Sequence, residues 1–275
     1  AGVAHEINNP LTAINANAPV AVFVYAFAFY VLPHALVAVT IATTLAPRVA
    51  EGWQAGHVGE VRSAIDGAMR TTVPLLALAG SGMVALAWPL TRLVAGVGQT
   101  SSQGLAPIAH TLAAFGPGLL GYGVAFVMTR VLFALGDVRR ASLLMIAGAV
   151  VGVVTMSVAS AVMAPADRAA ALAIGYGASQ TVAAVLLTMR VHRLTGSMGG
   201  RRAARLTAES LLSAVVASML MAWIAGQFDN TRPQALAAFL VAGTAGVATF
   251  AAMVALLRRG ELFGRGTGER RGQPG

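Results

Sequence analysis

Long uncharged runs alternate with short stretches rich in Arg, Gly and Pro along the whole chain. The first run begins at Pro19 and meets no Asp, Glu, Lys or Arg before Arg48; only His34 could carry charge. At ~1.5 Å per residue such a helix exceeds a ~30 Å hydrocarbon layer, so it predicts a membrane span, with a kink at Pro33 absorbing the surplus length. Further runs predict spans at about Thr72–Val94, Pro107–Leu135, Ser142–Met163, Ala170–Met189, Leu211–Gly226 and Ala235–Leu257. The third is interrupted by Gly116, Pro117 and Gly118, which predict a bend and a close helix contact. GYGAS at Gly175–Ser179 predicts close approach in the fifth. Between the first two spans, Val58, Val61, Ile65 and Met69 recur every three to four residues within the polar stretch Arg48–Arg70. That spacing predicts a separate interfacial helix with one apolar face.

The fold class expected is therefore all-α, a polytopic transmembrane bundle of about seven spans over residues 19–259. Residues 1–18 form a lead segment of different character, and residues 260–275 a Gly- and Arg-rich tail expected to be disordered and cytoplasmic. Composition agrees: 57% of residues are hydrophobic and only 11% charged, far from the soluble average. A net charge of +9 would suggest nucleic acid in a soluble protein. Here all 19 basic residues are Arg and most sit between apolar runs, so they report topology instead.

Seven spans divide the arginines fifteen to three between the two sides, with Arg130 nearer the rich side. The positive-inside rule then places the C-terminus in the cytoplasm and Ala1 outside. The basic loop Arg190–Glu209 is expected to meet anionic lipid headgroups. No cysteine is present, which removes disulfides and thiolate metal sites, and no metal-ligand spacing joins His5, His34, His57, His110 and His192. GPGLLG at Gly116–Gly121 matches a dinucleotide fingerprint by letter only, since no strand precedes it. No cofactor, metal or catalytic group is expected.

Four residues stand out as candidates for a substrate-facing cavity: Arg130, Asp137, Pro33 and His34. Arg130 is the one basic residue inside an apolar run, five residues before its end, and can snorkel toward the loop. Asp137 in that loop is its expected partner. His34 beside Pro33 is expected to act as a packing or kink-satisfying polar group, with substrate contact the alternative.

Two stretches resemble known families. GVAHEINNPLTAI, near the N-terminus, is similar to the H-box of sensor histidine kinases, which would make His5 a phosphoacceptor activated by Glu6. The remainder of such a kinase is not visible before the first span or after the last, and a chance or fusion-derived segment is favoured. Leu32–Arg70, with its Pro-kinked span ending in Pro-Arg, resembles the MurJ/MviN lipid II flippases. RVLFALGDVRRAS, Arg130–Ser142, is similar to a loop motif of the same family at Arg130, Ala134, Leu135 and Asp137, and departs from it at Phe133, around Arg140 and at Ser142. The resemblance implies the C-terminal half, spans eight to fourteen, of a flippase of the multidrug/oligosaccharidyl-lipid/polysaccharide superfamily. It also implies a lipid-linked peptidoglycan precursor as cargo, alternating access as mechanism, and a missing N-terminal half as partner. Cavity charges that many members carry before the kinked proline are replaced by Phe27, Ala28 and Phe29. An exporter of other lipid-linked polysaccharides and a membrane-anchored kinase fragment are the alternatives.

Overall fold

A computed structural model describes residues 19–95, 102–197, 200–228 and 231–265. The H-box-like segment and His5 lie outside the described residues. In chain order the described helices are α1 (Pro19–Gln54), α2 (Val58–Ala85), α3 (Ala87–Ala95), α4 (Ser102–Phe115), α5 (Gly118–Ala134), α6 (Val138–Val162), α7 (Arg168–Thr195), α8 (Gly200–Ala225) and α9 (Arg232–Arg265). A short 3-10 turn, Pro165–Asp167, precedes α7. Among the described residues six helices are long and apolar enough to cross a membrane, and the bent pair α4–α5, taken as one span, makes a seventh. The described segments are helices and the turns between them, as an all-α membrane bundle requires.

Each proline and glycine interruption has a local cause. Pro33 has no N–H for the Phe29 carbonyl, yet α1 continues through it and widens into a π-helical turn at Ala35–Val39. Pro117 and its flanking glycines separate α4 from α5 at 50°, the bend the sequence predicts. Pro89 cannot donate to the Ala85 carbonyl, and its ring opposes that carbonyl, so the expected single span at 72–94 breaks at Leu86 into α2 and α3.

The expected interfacial helix over 48–70 does not form as a separate element. A turn at Ala55–His57, with Gly56 at φ 75°, divides the stretch between the ends of two long helices. His57 N–H donates to the Gly52 carbonyl and Gly56 N–H to the Trp53 carbonyl, the paired bonds of a Schellman cap. Val61, Ile65 and Met69 are buried in the same core as Leu45 and Val49 of α1, so the apolar face packs against protein and does not lie on the membrane surface. The basic loop expected at 190–209 is likewise mostly helical, shared between the end of α7 and the start of α8. The last helix reaches Arg265, into the segment expected as tail.

The main core draws on α1, α2, α4, α5 and α7, centred on Tyr30, Leu76, Phe115, Leu119, Met128 and Leu187. A smaller core under α8 and α9 joins Ala77 and Leu86 to Ala217, Met221, Ala242 and Phe250. Where α5 crosses α7, Gly118 meets Gly177 backbone to backbone, and a Cβ on Gly118 would sit 2.5 Å from the Gly177 Cα. The two glycine-rich motifs of the third and fifth spans are thus one contact. On the outer side of α6, Val150, Val153, Val154, Val158 and Val162 are all exposed, a stripe suited to lipid tails.

Candidate functional site

Aromatic residues of α1 recur at Phe23, Phe27 and Tyr30, followed by His34, which places them on one helical face. That face packs on Phe115 of α4, Tyr122 and Phe126 of α5, and Tyr176 of α7. Tyr30 stacks on Phe115 at 4.6 Å and on Tyr122 at 5.4 Å between ring centroids, while Phe27 meets Tyr176 edge-on at 5.5 Å. His34 is buried and lies flat on Tyr122 at 3.8 Å, with its edge toward Phe126 at 5.0 Å. The Tyr30 hydroxyl and His34 Nδ1 are buried without a hydrogen-bond partner among the described residues. Each such group costs about 1–3 kcal/mol, offset here by ring stacking and burial. The packing role expected of His34 is the one its surroundings support; Pro33, one residue earlier, is half-buried.

Beyond Tyr122 and Phe126 the cluster opens into a recess of about 320 Å³ between α5, α6 and α7. Its polar lining comes from Thr129 and Arg130 of α5, Tyr176 and Gln180 of α7, and Tyr122. Arg130 sits with its guanidinium carbon 5.1 Å from the Phe126 ring centroid, a cation–π contact. His34 and Arg130 therefore both contact Phe126, from α1 and from the following turn of α5.

Asp137 is elsewhere. The expected Arg130–Asp137 pair is replaced by Arg190 Nε donating to Asp137 Oδ2 at 2.6 Å, with both side chains about one-fifth exposed. The cause is the cap of α5. Gly136 takes φ 79°, Asp137 N–H donates to the Leu132 carbonyl and Gly136 N–H to the Phe133 carbonyl. This Schellman turn makes Asp137 the N-cap of α6, whose principal neighbour is α7, and the last basic turn of α7 supplies Arg190. A second arginine ties the same end of the bundle: Arg62 of α2 donates from Nε to the Thr195 carbonyl at the C-terminus of α7.

Sequence reasoning located Arg130 but not Tyr122, Tyr176 or Gln180. A signal existed, because GYG occurs at Gly121–Gly123 and again at Gly175–Gly177. Gly121 approaches the Thr181 backbone of α7 and Gly177 approaches Gly118 of α5, so these two let α5 and α7 close together. Gly123 faces Leu76 of α2 and Gly175 faces Met156 of α6; the two tyrosines meet at 5.8 Å.

Comparison with known proteins agrees with this architecture. A probable lipid II flippase MurJ from Rhizobium meliloti (strain 1021) is 28% identical over 116 residues, which cover 42% of this chain and 22% of that protein. A solved structure described as lipid II flippase MurJ in an inward closed conformation superposes with a TM-score of 0.66 at 16% identity, over 89% of this chain and 48% of the other. The chain thus spans about half the length of that solved relative. The family described as lipid II flippase MurJ matches residues 3–254, a range that begins inside the H-box-like segment. With that match over most of its length and a bundle of six to seven apolar helices, this multi-pass membrane protein belongs to the MurJ lipid II flippase family.

Proposed function

We propose that the helices described here form one wall of a lipid II flippase, a transporter and not an enzyme, in a bacterial inner membrane with the C-terminus in the cytoplasm. The observation that carries this reading is the recess at Arg130. A cation, an amide and hydroxyls gather there beside an aromatic cluster, close to the arginine-rich end. A diphosphate headgroup is the part of a lipid-linked precursor that needs such groups, because a guanidinium binds phosphate oxygens in bidentate fashion. Phe126 beneath the guanidinium and the aromatic cluster behind it hold the site's shape. Pro33 and the π turn that follows it are the positions where α1 departs from regular geometry, and they sit next to this cluster.

Alternating access requires two lobes that close in turn on a mid-membrane site. The second lobe in this reading is the counterpart of the half of the solved relative that the present helices do not cover. Anionic lipid headgroups are the proposed neighbours of Arg139, Arg140, Arg193, Arg201 and Arg202, all exposed at the arginine-rich end.

Binding of lipid II to the purified chain, read by native mass spectrometry, tests the site. Arg130→Gln is expected to weaken binding about 10- to 100-fold, the loss of ~1.4–3 kcal/mol that a charge-assisted contact represents, with Arg130→Lys retaining part of it. Unchanged affinity in Arg130→Gln would remove Arg130 from the site. The 275 residues expressed by themselves are expected not to restore peptidoglycan synthesis in flippase-depleted cells. Restoration would defeat the two-lobe reading.

A further inference from the structure

At the opposite, arginine-poor end of the bundle, the structure holds a second polar recess that the transport reading does not use. It measures about 330 Å³ and lies where the junction of α2 and α3 meets the ends of α8 and α9. Its wall combines groups of two chemical kinds. Arg92 lines it with the guanidinium carbon 5.1 Å from the Trp88 ring centroid, so the cation is held in place by an aromatic neighbour one helical turn away. Ala235, in the first turn of α9, lines it too, where the helix dipole favours negative charge. Ala85 contributes the other kind: its carbonyl has lost its helical donor to Pro89, and so is an acceptor. The rest of the lining is apolar: Ala222, Ala225, Gly226 and Ala238 are small, and Pro89 and Phe228 add larger apolar surface.

We propose that this recess seats the headgroup of an anionic phospholipid carrying a polyol, of the phosphatidylglycerol type, with Arg92 taking the phosphodiester and the Ala85 carbonyl accepting a headgroup hydroxyl. Trp88, a ring with an apolar body and one N–H, stands at the end of an apolar span, where such rings mark the membrane–water interface. A neutral sugar would not use Arg92, and a free phosphate would leave the apolar part of the lining uncovered. A glycerophospholipid uses both. This site lies apart from the Arg130 recess and stands whether or not the chain moves lipid II.

The test uses the only three tryptophans, Trp53, Trp88 and Trp223. In the full chain carrying Trp53→Phe and Trp223→Phe, Trp88 fluorescence is titrated in detergent with lipids brominated near the headgroup, as phosphatidylglycerol or as phosphatidylcholine. Phosphatidylglycerol is expected to quench at about tenfold lower concentration, and Arg92→Gln is expected to erase the difference. Equal quenching by both lipids, or a preference that survives Arg92→Gln, overturns the proposal. Displacement of the brominated lipid by glycerol phosphate at matching concentration overturns the lipid assignment in favour of a small soluble anion. Native mass spectrometry on the chain with all its tryptophans supplies the control for folding: wild type is expected to retain one more phosphatidylglycerol than Arg92→Gln at equal helix content, and equal retention counts against the site.

Discussion

The ion pair between Asp137 and Arg190 offers a direct measure of how far tertiary geometry overrides sequence proximity. Asp137 and Arg130 are seven residues apart, whereas Arg190 is 53 residues away, yet Arg190 Nε is the group at 2.6 Å from Asp137 Oδ2. Two unit charges about 4 Å apart at an effective dielectric of ~20 attract by roughly 4 kcal/mol before desolvation. Each side chain is about one-fifth exposed, so solvent screening and the cost of partial burial reduce the net coupling to about 1–2 kcal/mol. Asp137→Asn is expected to cost ~2 kcal/mol, because it leaves Arg190 without its carboxylate. The assay is equilibrium unfolding in mixed detergent–dodecyl sulfate micelles, applied to Asp137→Asn, Arg190→Gln and their combination. The cycle isolates the pair, and a coupling of ~1–2 kcal/mol is expected. The same cycle with Arg130→Gln in place of Arg190→Gln is expected to give less than ~0.3 kcal/mol. A coupling of Asp137 to Arg130 as large as that to Arg190 would refute the argument that the Gly136 turn decides the partner.

Four further outcomes follow from the packing and the arginine distribution. Gly118→Ala should destabilise the bundle by about 2–3 kcal/mol in the same unfolding assay, since its Cβ would meet the Gly177 backbone. Gly67→Ala, in a helix interior with no neighbour within 4 Å of the added carbon, should instead stabilise by ~0.5–1 kcal/mol. His34→Ala should cost about 2–4 kcal/mol through lost stacking on Tyr122, whereas His34→Phe keeps the ring, discards the unpartnered Nδ1 and should remain within ~1 kcal/mol of the parent. Equal loss in both variants would show that the imidazole itself is required. In the cysteine-free chain, Gln54→Cys should react with a membrane-impermeant maleimide only after permeabilisation, and Gln99→Cys in intact cells; the reverse pattern would invert the orientation.

The spans were legible because a bilayer imposes a one-dimensional rule: twenty or so apolar residues in a row, whatever they touch later. Pro19 onward, 142–163 and 235–257 satisfied it without reference to any other part of the chain. Boundaries failed where helices outrun the hydrocarbon. Residues 58–70 and 200–209 are polar enough to end a span, but backbone hydrogen bonding does not stop where hydropathy does, and Val61, Ile65 and Met69 find α1 to bury against. Breaks were readable when the residue acts on its own backbone, as at Gly116–Gly118, and Pro89 carried the same information four residues after Ala85.

Partners were not legible for a different reason. Arg130 announced itself as a charge in an apolar run, but what it faces depends on how closely α5 and α7 approach, and that is decided by glycines at Gly118, Gly121 and Gly177 and not by Arg130. Small residues carry no chemistry of their own, so a search for chemistry passes over them, although they bring Tyr122 and Tyr176 together and open the recess beside them. In a bundle held by lipid rather than by water, helices gain little from burying one apolar surface over another, and close backbone contact decides the register. Gly118, Gly121 and Gly177 are therefore the better pointer to the site than the arginine, because they specify which two helices must meet before any polar side chain can have a partner.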